Sequence, residues 1–112
     1  TLEDITGLTF DLVVPANLPG TARILAWMAI QCATSGGSPA TGAWAININS
    51  VDKQEIQRYL SGSNDVGSLV VFGGATGLSN GTYTVKGRHR RVSGASTVVD
   101  DVAQLFAQVV ME

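Results

Sequence analysis

Clusters of Pro, Gly, Ser and Asn interrupt the chain at 15–20, 34–42, 61–67, 73–81 and 93–96, and nothing else in the sequence limits its fold as strongly. Each cluster ends regular structure, because Gly frees the backbone, Pro removes a donor, and Asn and Ser divert hydrogen bonds to their own side chains. The intervals between them read as strands: Leu8 to Val14, Ala22 to Ala33, Ala43 to Asn49, Glu55 to Leu60, Ser68 to Phe72, Thr82 to Arg91, Ser96 to Val99 and Ala103 to Met111. Two of them alternate with period two. Leu8, Phe10, Leu12 and Val14 share one side against Thr9 and Asp11, and Trp44, Ile46 and Ile48 oppose Ala43, Ala45, Asn47 and Asn49. One window competes as a helix, Val51 to Leu60, with a capping box from Asp52 to Glu55 and a stop at Gly62. It is short and poor in apolar residues, so strand and turn structure is expected throughout.

Two turns order the second half of the chain. Asn80-Gly81 has the residues that tolerate a type I′ turn and is expected to start the long strand Thr82 to Arg91. A turn at Ser93-Gly94 is expected to fold the next segment back, setting Arg90 near Thr97, Arg88 near Val99 and Lys86 near Asp101. The Asn80-Gly81-Thr82 sequon reads as turn chemistry.

A chain of 112 residues, with 45% hydrophobic and 14% charged residues, is the size and composition of one folded domain. Its formal charge of −2 gives no field to gather nucleic acid. The single cysteine, Cys32, forms no intrachain disulfide, and with one histidine it falls short of the four ligands of a closed zinc site. No apolar run approaches the ~20 residues of a membrane span, and the N-terminal Thr-Leu-Glu-Asp is acidic rather than basic, so neither membrane insertion nor a signal peptide is expected in this soluble stretch. Thr1 at the start fits either trimming of an initiator Met or excision from a longer protein.

Ala22 to Ala33 is apolar on both faces, with Leu25, Trp27 and Ala29 on one and Ile24, Ala26, Met28 and Ile30 on the other. A strand with one wet face does not look like this. The extra face needs a second layer or a second subunit, which makes Leu25, Trp27 and Ala29 candidate interface residues.

Lys86-Gly-Arg88-His89-Arg90-Arg91 holds four of the seven cations and the only histidine. Alternation gathers Lys86, Arg88 and Arg90 on one face. Such a ladder suits an anionic receptor group or, the favoured reading, a set of ion pairs to Asp100, Asp101 or another subunit, which adds Arg88 and Arg90 to the candidate interface. Trp44 and Tyr59, with Arg58 and Lys86, are the candidates for ligand contact. Ser93, His89 and Asp100 or Asp101 supply triad residue types without the Gly-x-Ser-x-Gly elbow. Asp52 with Glu55 and Glu3 with Asp4 read as surface or capping charges, and Gly73 to Gly77 lacks a phosphate loop's Lys-Ser/Thr. Asn47, Asn49, Asn64 and Asp65 lack calcium-loop spacing. No catalytic residue, metal or cofactor is assigned.

Several phrases occur together: Ile5-Thr-Gly-Leu-Thr-Phe, Ala22-Arg-Ile-Leu-Ala-Trp, Ile48-Asn-Ser-Val-Asp, and Gly81-Thr-Tyr-Thr-Val-Lys-Gly-Arg-His-Arg-Arg-Val-Ser-Gly before Ala103-Gln-Leu. In these the chain resembles tailed-bacteriophage virion surface domains of tail-fibre and receptor-binding-tip type, with a C1q/TNF-like jelly roll. The resemblance implies an all-β antiparallel jelly-roll sandwich of about 7–9 strands and a non-enzymatic homotrimer on the virion surface. Its partners would be itself, other virion proteins and a host cell-surface glycan or protein. A trimeric capsid or tail decoration protein and a free carbohydrate-binding module are the alternatives. Compared with animal C1q domains the chain has few aromatics and no collagen stalk, so their calcium sites and ligands do not transfer.

Overall fold

The computed structural model describes residues 1–17, 19–62 and 65–112; Asn64, weighed above as a cation ligand, lies outside them. The described residues are all-β, in eight strands: β1 (Glu3–Val14), β2 (Ala22–Thr34), β3 (Ala40–Ile48), β4 (Val51–Asp52), β5 (Ile56–Leu60), β6 (Val66–Leu78), β7 (Gly81–Gly94) and β8 (Val98–Met111). They form two antiparallel sheets. One runs β1-β7-β3, with β4 and β5 both on the far edge of β3, and the other runs β6-β2-β8. The sheets stack into a sandwich of 55 × 21 × 20 Å.

Alternation decides what lies between the sheets. Ile24, Ala26, Met28, Ile30 and Cys32 of β2 point inward against Trp44, Ile46 and Ile48 of β3, with Leu60, Val71 and Val85 completing the core. Each large side chain so buried contributes about 1.5–3 kcal/mol. Leu8, Phe10 and Leu12 of β1 pack against the margin of this core. Trp44 fits because residue 42 has no side chain, since a Cβ there would lie 2.5 Å from the indole.

The window Val51 to Leu60 is not a helix. Asn49 and Ser50 both take positive φ, 46° and 70°, and turn the chain so that Val51 pairs with Ile48. Asp52, the would-be cap, instead accepts from Asn47 Nδ2 at 2.8 Å. Asn47 Oδ1 accepts from the Ser50 N–H, and Asn49 Oδ1 from the Thr84 N–H, so side chains saturate the turn that a helix would have needed to open.

Neither turn expected in the second half makes a hairpin. Asn80 and Gly81 join β6 to β7, and Ser93 and Gly94 stand at the end of β7 before β8, each time between different sheets. The expected register between β7 and β8 does not form, because β1 and β3 already hold both edges of β7 while β8 pairs with β2 from Ala22 to Thr34. Two expected interruptions are absorbed into strands. Gly73 and Gly74 lie within β6, where an added Cβ at Gly73 would crowd Ile46 at 3.1 Å. Asp101 is the extra residue of a bulge in β8, between Asp100 opposite Cys32 and Val102 opposite Gln31.

β1 and β8 run in the same direction along the long axis. Glu3 lies opposite His89 and Asp100 bonds to His89 at one end, while Val14 pairs with Gly81 at the other. At that second end the Glu112 backbone N–H donates to the Thr21 carbonyl.

Candidate functional site

The cationic ladder lies on the outer face of the β1-β7-β3 sheet, where each member meets carboxylates from distant segments. Lys86 Nζ is 3.2 Å from Asp4 Oδ2. Arg88 donates from Nη1 to Asp52 at 3.1 Å and from Nη2 to the Leu2 carbonyl at 2.7 Å. Its Nε lies 3.1 Å from Asp4 Oδ1 but is misaligned for a hydrogen bond, so that contact is purely electrostatic. Arg90 grips Glu55 with two bonds, at 2.7 and 3.1 Å. The partners are therefore Asp4, Asp52 and Glu55, and not the expected Asp100 and Asp101, which belong to the other sheet. The Asn47 amide, with Arg88, holds the Asp52 carboxyl below the usual range, and Arg90 does the same for Glu55. Ala43 and Ala45 are wholly buried on this face although it is outermost. They pair with Arg90 and Arg88, whose stems roof over the small side chains.

The expected ligand contacts do not converge. Trp44 is fully buried, contrary to its reading as an open aromatic, because its phase in β3 matches Ile46 and Ile48. Tyr59 is 63% exposed, while its neighbour Arg58 turns the other way and crosses Gly67 of β6. Lys86 is held by Asp4.

At one end of the sandwich a polar cluster ties the sheets together. Trp44 Nε1 donates to Asp100 Oδ1 at 3.0 Å, and His89 Nδ1 lies 2.8 Å from Asp100 Oδ2. The hydrogen bond to Asp100 raises the His89 pKa above its ordinary value. An open cleft of about 450 Å³ lies beside it, lined by Glu3, His89, Arg91, Thr97 and Val98 among others. Ser93 stands four residues along β7 from His89, a span of about 13 Å, so the serine of the weighed triad is out of reach. Among the described residues no three His, Cys, Asp or Glu side chains gather as a metal site. Cys32 is buried and free, its S–H directed at the Gly67 carbonyl, and burial raises its pKa.

The opposite surface, the outer face of β6-β2-β8, is apolar. Phe72, Trp27 and Phe106 stand abreast across the three strands, with Trp27 and Phe106 stacked at 5.6 Å between centroids. Leu25, Ala29, Val70 and Val102 surround this row, and Phe72 is 70% exposed. The polar neighbours Ser68, Gln31, Gln104 and Gln108 carry no charge, and one cation, Arg23, stands beyond Leu25 on the same side of β2, opposite Val110. Comparison with known proteins finds no matching family model, curated protein or solved structure.

The five candidate interface residues thus fall on opposite sides. Leu25, Trp27 and Ala29 lie on the apolar face, and Arg88 and Arg90 lie on the outer face of the other sheet. One flat contact cannot use both sets. Phe72, Phe106, Val70 and Val102 were missed as partners of Trp27, although the sequence carries part of the signal: Ser68 to Phe72, like β2, is apolar in both phases, and Phe106 and Val110 interrupt the polar phase of Ala103 to Met111.

Proposed function

We propose that this chain is a non-enzymatic structural domain of a bacteriophage virion, a homotrimer at the tip of a tail fibre or similar appendage that serves host attachment. The observation that carries the reading is the apolar aromatic face of β6-β2-β8. Covering the remaining exposed area of each of its large side chains contributes on the order of 1 kcal/mol, and water is a poor long-term neighbour for so contiguous a patch. The rod shape supports the same reading, since three rods side by side bury their apolar faces along a common axis and leave strand-end loops free. A jelly-roll, C1q/TNF-like topology fits the connections, because the chain crosses between sheets at β1–β2, β2–β3, β5–β6, β6–β7 and β7–β8.

One observation favours the second reading, a trimeric capsid or tail decoration protein: Trp44, Tyr59, Arg58 and Lys86 form no common ligand site, and the cationic ladder is already paired. Light scattering at micromolar concentration tests the shared trimer, with the expected mass three times 11.7 kDa. A monodisperse monomer refutes both readings and leaves the free carbohydrate-binding module. Adhesion of the labelled protein to a panel of bacterial cell surfaces separates attachment from decoration, and binding to none of them counts against attachment.

A further inference from the structure

The three-stranded sheet ends in two open edges, and their chemistry is complementary. β6 runs from Val66 to Leu78 without a charge or a proline, and β8 runs from Val102 to Met111 without either. Isolated proteins protect such edges with Lys, Pro or short length, and these neutral stretches have none of that protection. Both strands are antiparallel to β2, so they are parallel to each other, and both pair with the same stretch of it, from Ala22 to Gln31 and beyond.

We propose that the β6 edge of one copy pairs in parallel with the β8 edge of the next, closing a ring by rotation about an axis along the strands. The inference rests on the trimer proposed above and names the surface that forms it. Charge fixes the choice between this arrangement and a two-fold pairing of β6 with β6. Arg58 lies across Gly67 at the start of β6, where an added Cβ would sit 2.5 Å from its Nε. It makes no ion pair among the described residues, and nearby Asp65 is engaged by the N–H and hydroxyl of Ser61. On the other edge Asp101 projects from the β8 bulge, exposed and likewise without an ion-pair partner among the described residues. Gly67 and Asp100 both pair with Cys32, and Arg58, reaching from β5 of the facing sheet across Gly67 beside Leu60, therefore stands at the same level as Asp101, on the β6 side of the sandwich where Asp101 is on the β8 side. A rotation along the strand axis brings Arg58 of one copy to Asp101 of the next, with neutral strand against neutral strand beyond them. A two-fold axis relating β6 to β6 instead leaves both Asp101 side chains and both β8 edges open.

Charge exchange tests the pairing. R58E and D101K, each confirmed to keep the wild-type strand signal in circular dichroism, are expected to weaken each contact about tenfold. Three contacts per ring compound to about a thousandfold in the trimer association constant. The double variant R58E/D101K is expected to return to within a few-fold of wild type in sedimentation equilibrium. Hydrogen exchange should show the outward amides of β6 protected only in the assembled form. A wild-type trimer that ignores both single changes and leaves β6 amides fast-exchanging overturns the edge pairing while the trimer stands. A wild-type dimer or monomer overturns both.

Discussion

Asp100 is the residue whose replacement should reveal most about how the two sheets are joined. In Asp100→Ala the Trp44 indole N–H stays buried without its acceptor, which costs about 1–3 kcal/mol. The His89 contact is lost as well, and because that side chain is 33% exposed its share is discounted to about 1 kcal/mol. The total is about 2–4 kcal/mol. With an unfolding entropy of about 2.1 cal/mol/K per residue, a chain of 112 residues loses roughly 4 °C of Tm per kcal/mol, or about 8–16 °C here. Asp100→Asn separates the two contributions, because its amide oxygen still accepts from Trp44 while its charge is gone. His89 has its folded pKa raised above 6.5. Its charge-dependent stabilisation is therefore complete below that value and fades as pH climbs through the raised folded pKa. Thermal melts followed by circular dichroism, at one fixed protomer concentration, should show wild type above Asp100→Asn by several degrees near pH 6. The gap should shrink near pH 9. A gap that stays constant across this range, or an Asp100→Ala protein melting within about 2 °C of wild type, refutes the account.

Arg88→Ala should lower stability by about 1.5–3 kcal/mol, since it strips Asp4 and Asp52 of a shared, largely covered partner; denaturant unfolding measures it, and an unchanged midpoint would show the ladder to be free for a ligand. Gly42→Ala drives a methyl into the Trp44 ring and should cost about 1–3 kcal/mol, read as a lower Tm with altered tryptophan fluorescence. Asn49→Ala, at a positive φ and stripped of its bond from Thr84, should cost about 1–2 kcal/mol in the same unfolding assay. Asp52 and Glu55 have folded pKa values held below their unfolded ones, so their support is present above the ordinary carboxylate range and lost as pH falls through the folded values. Acid titration of Glu55→Gln should therefore show a weaker dependence of Tm on pH than wild type.

Local pattern reached the strands and stopped at their partners. The inward phase of Leu8 to Val14 and of Trp44, Ile46 and Ile48 was readable because a period of two shows in sequence whatever the topology. The same phase puts Trp44 in the core with Ile46 and Ile48, against its reading as an open aromatic among polar residues. Asn80-Gly81 does stand at the start of the long strand β7, but Ser93-Gly94 makes no hairpin, because turn chemistry specifies a reversal and says nothing of which sheet receives the returning strand. That depends on which edges are already taken, as those of β7 are by β1 and β3. The partners of Arg88 were hidden for a related reason. Asp4 and Asp52 lie 84 and 36 residues away, close only after β1 and β4 have been placed. Of the candidate site, the Leu25, Trp27 and Ala29 stripe was legible because a strand apolar in both phases announces an uncovered face.

The strand directions also determine how the domain bears tension. β1 begins at the end of the rod marked by His89 and Asp100, and β8 finishes at the end marked by Val14 and Gly81. A pull on the two termini therefore acts along the strands and tries to slide β1 past β7 and β8 past β2. Sliding loads the hydrogen bonds of each long ladder together, whereas peeling a strand away from one end would break them singly. The sandwich is thus built to resist stretching along its length more firmly than its modest size implies, and single-molecule extension from the two termini should need more force than extension between two points on the same end.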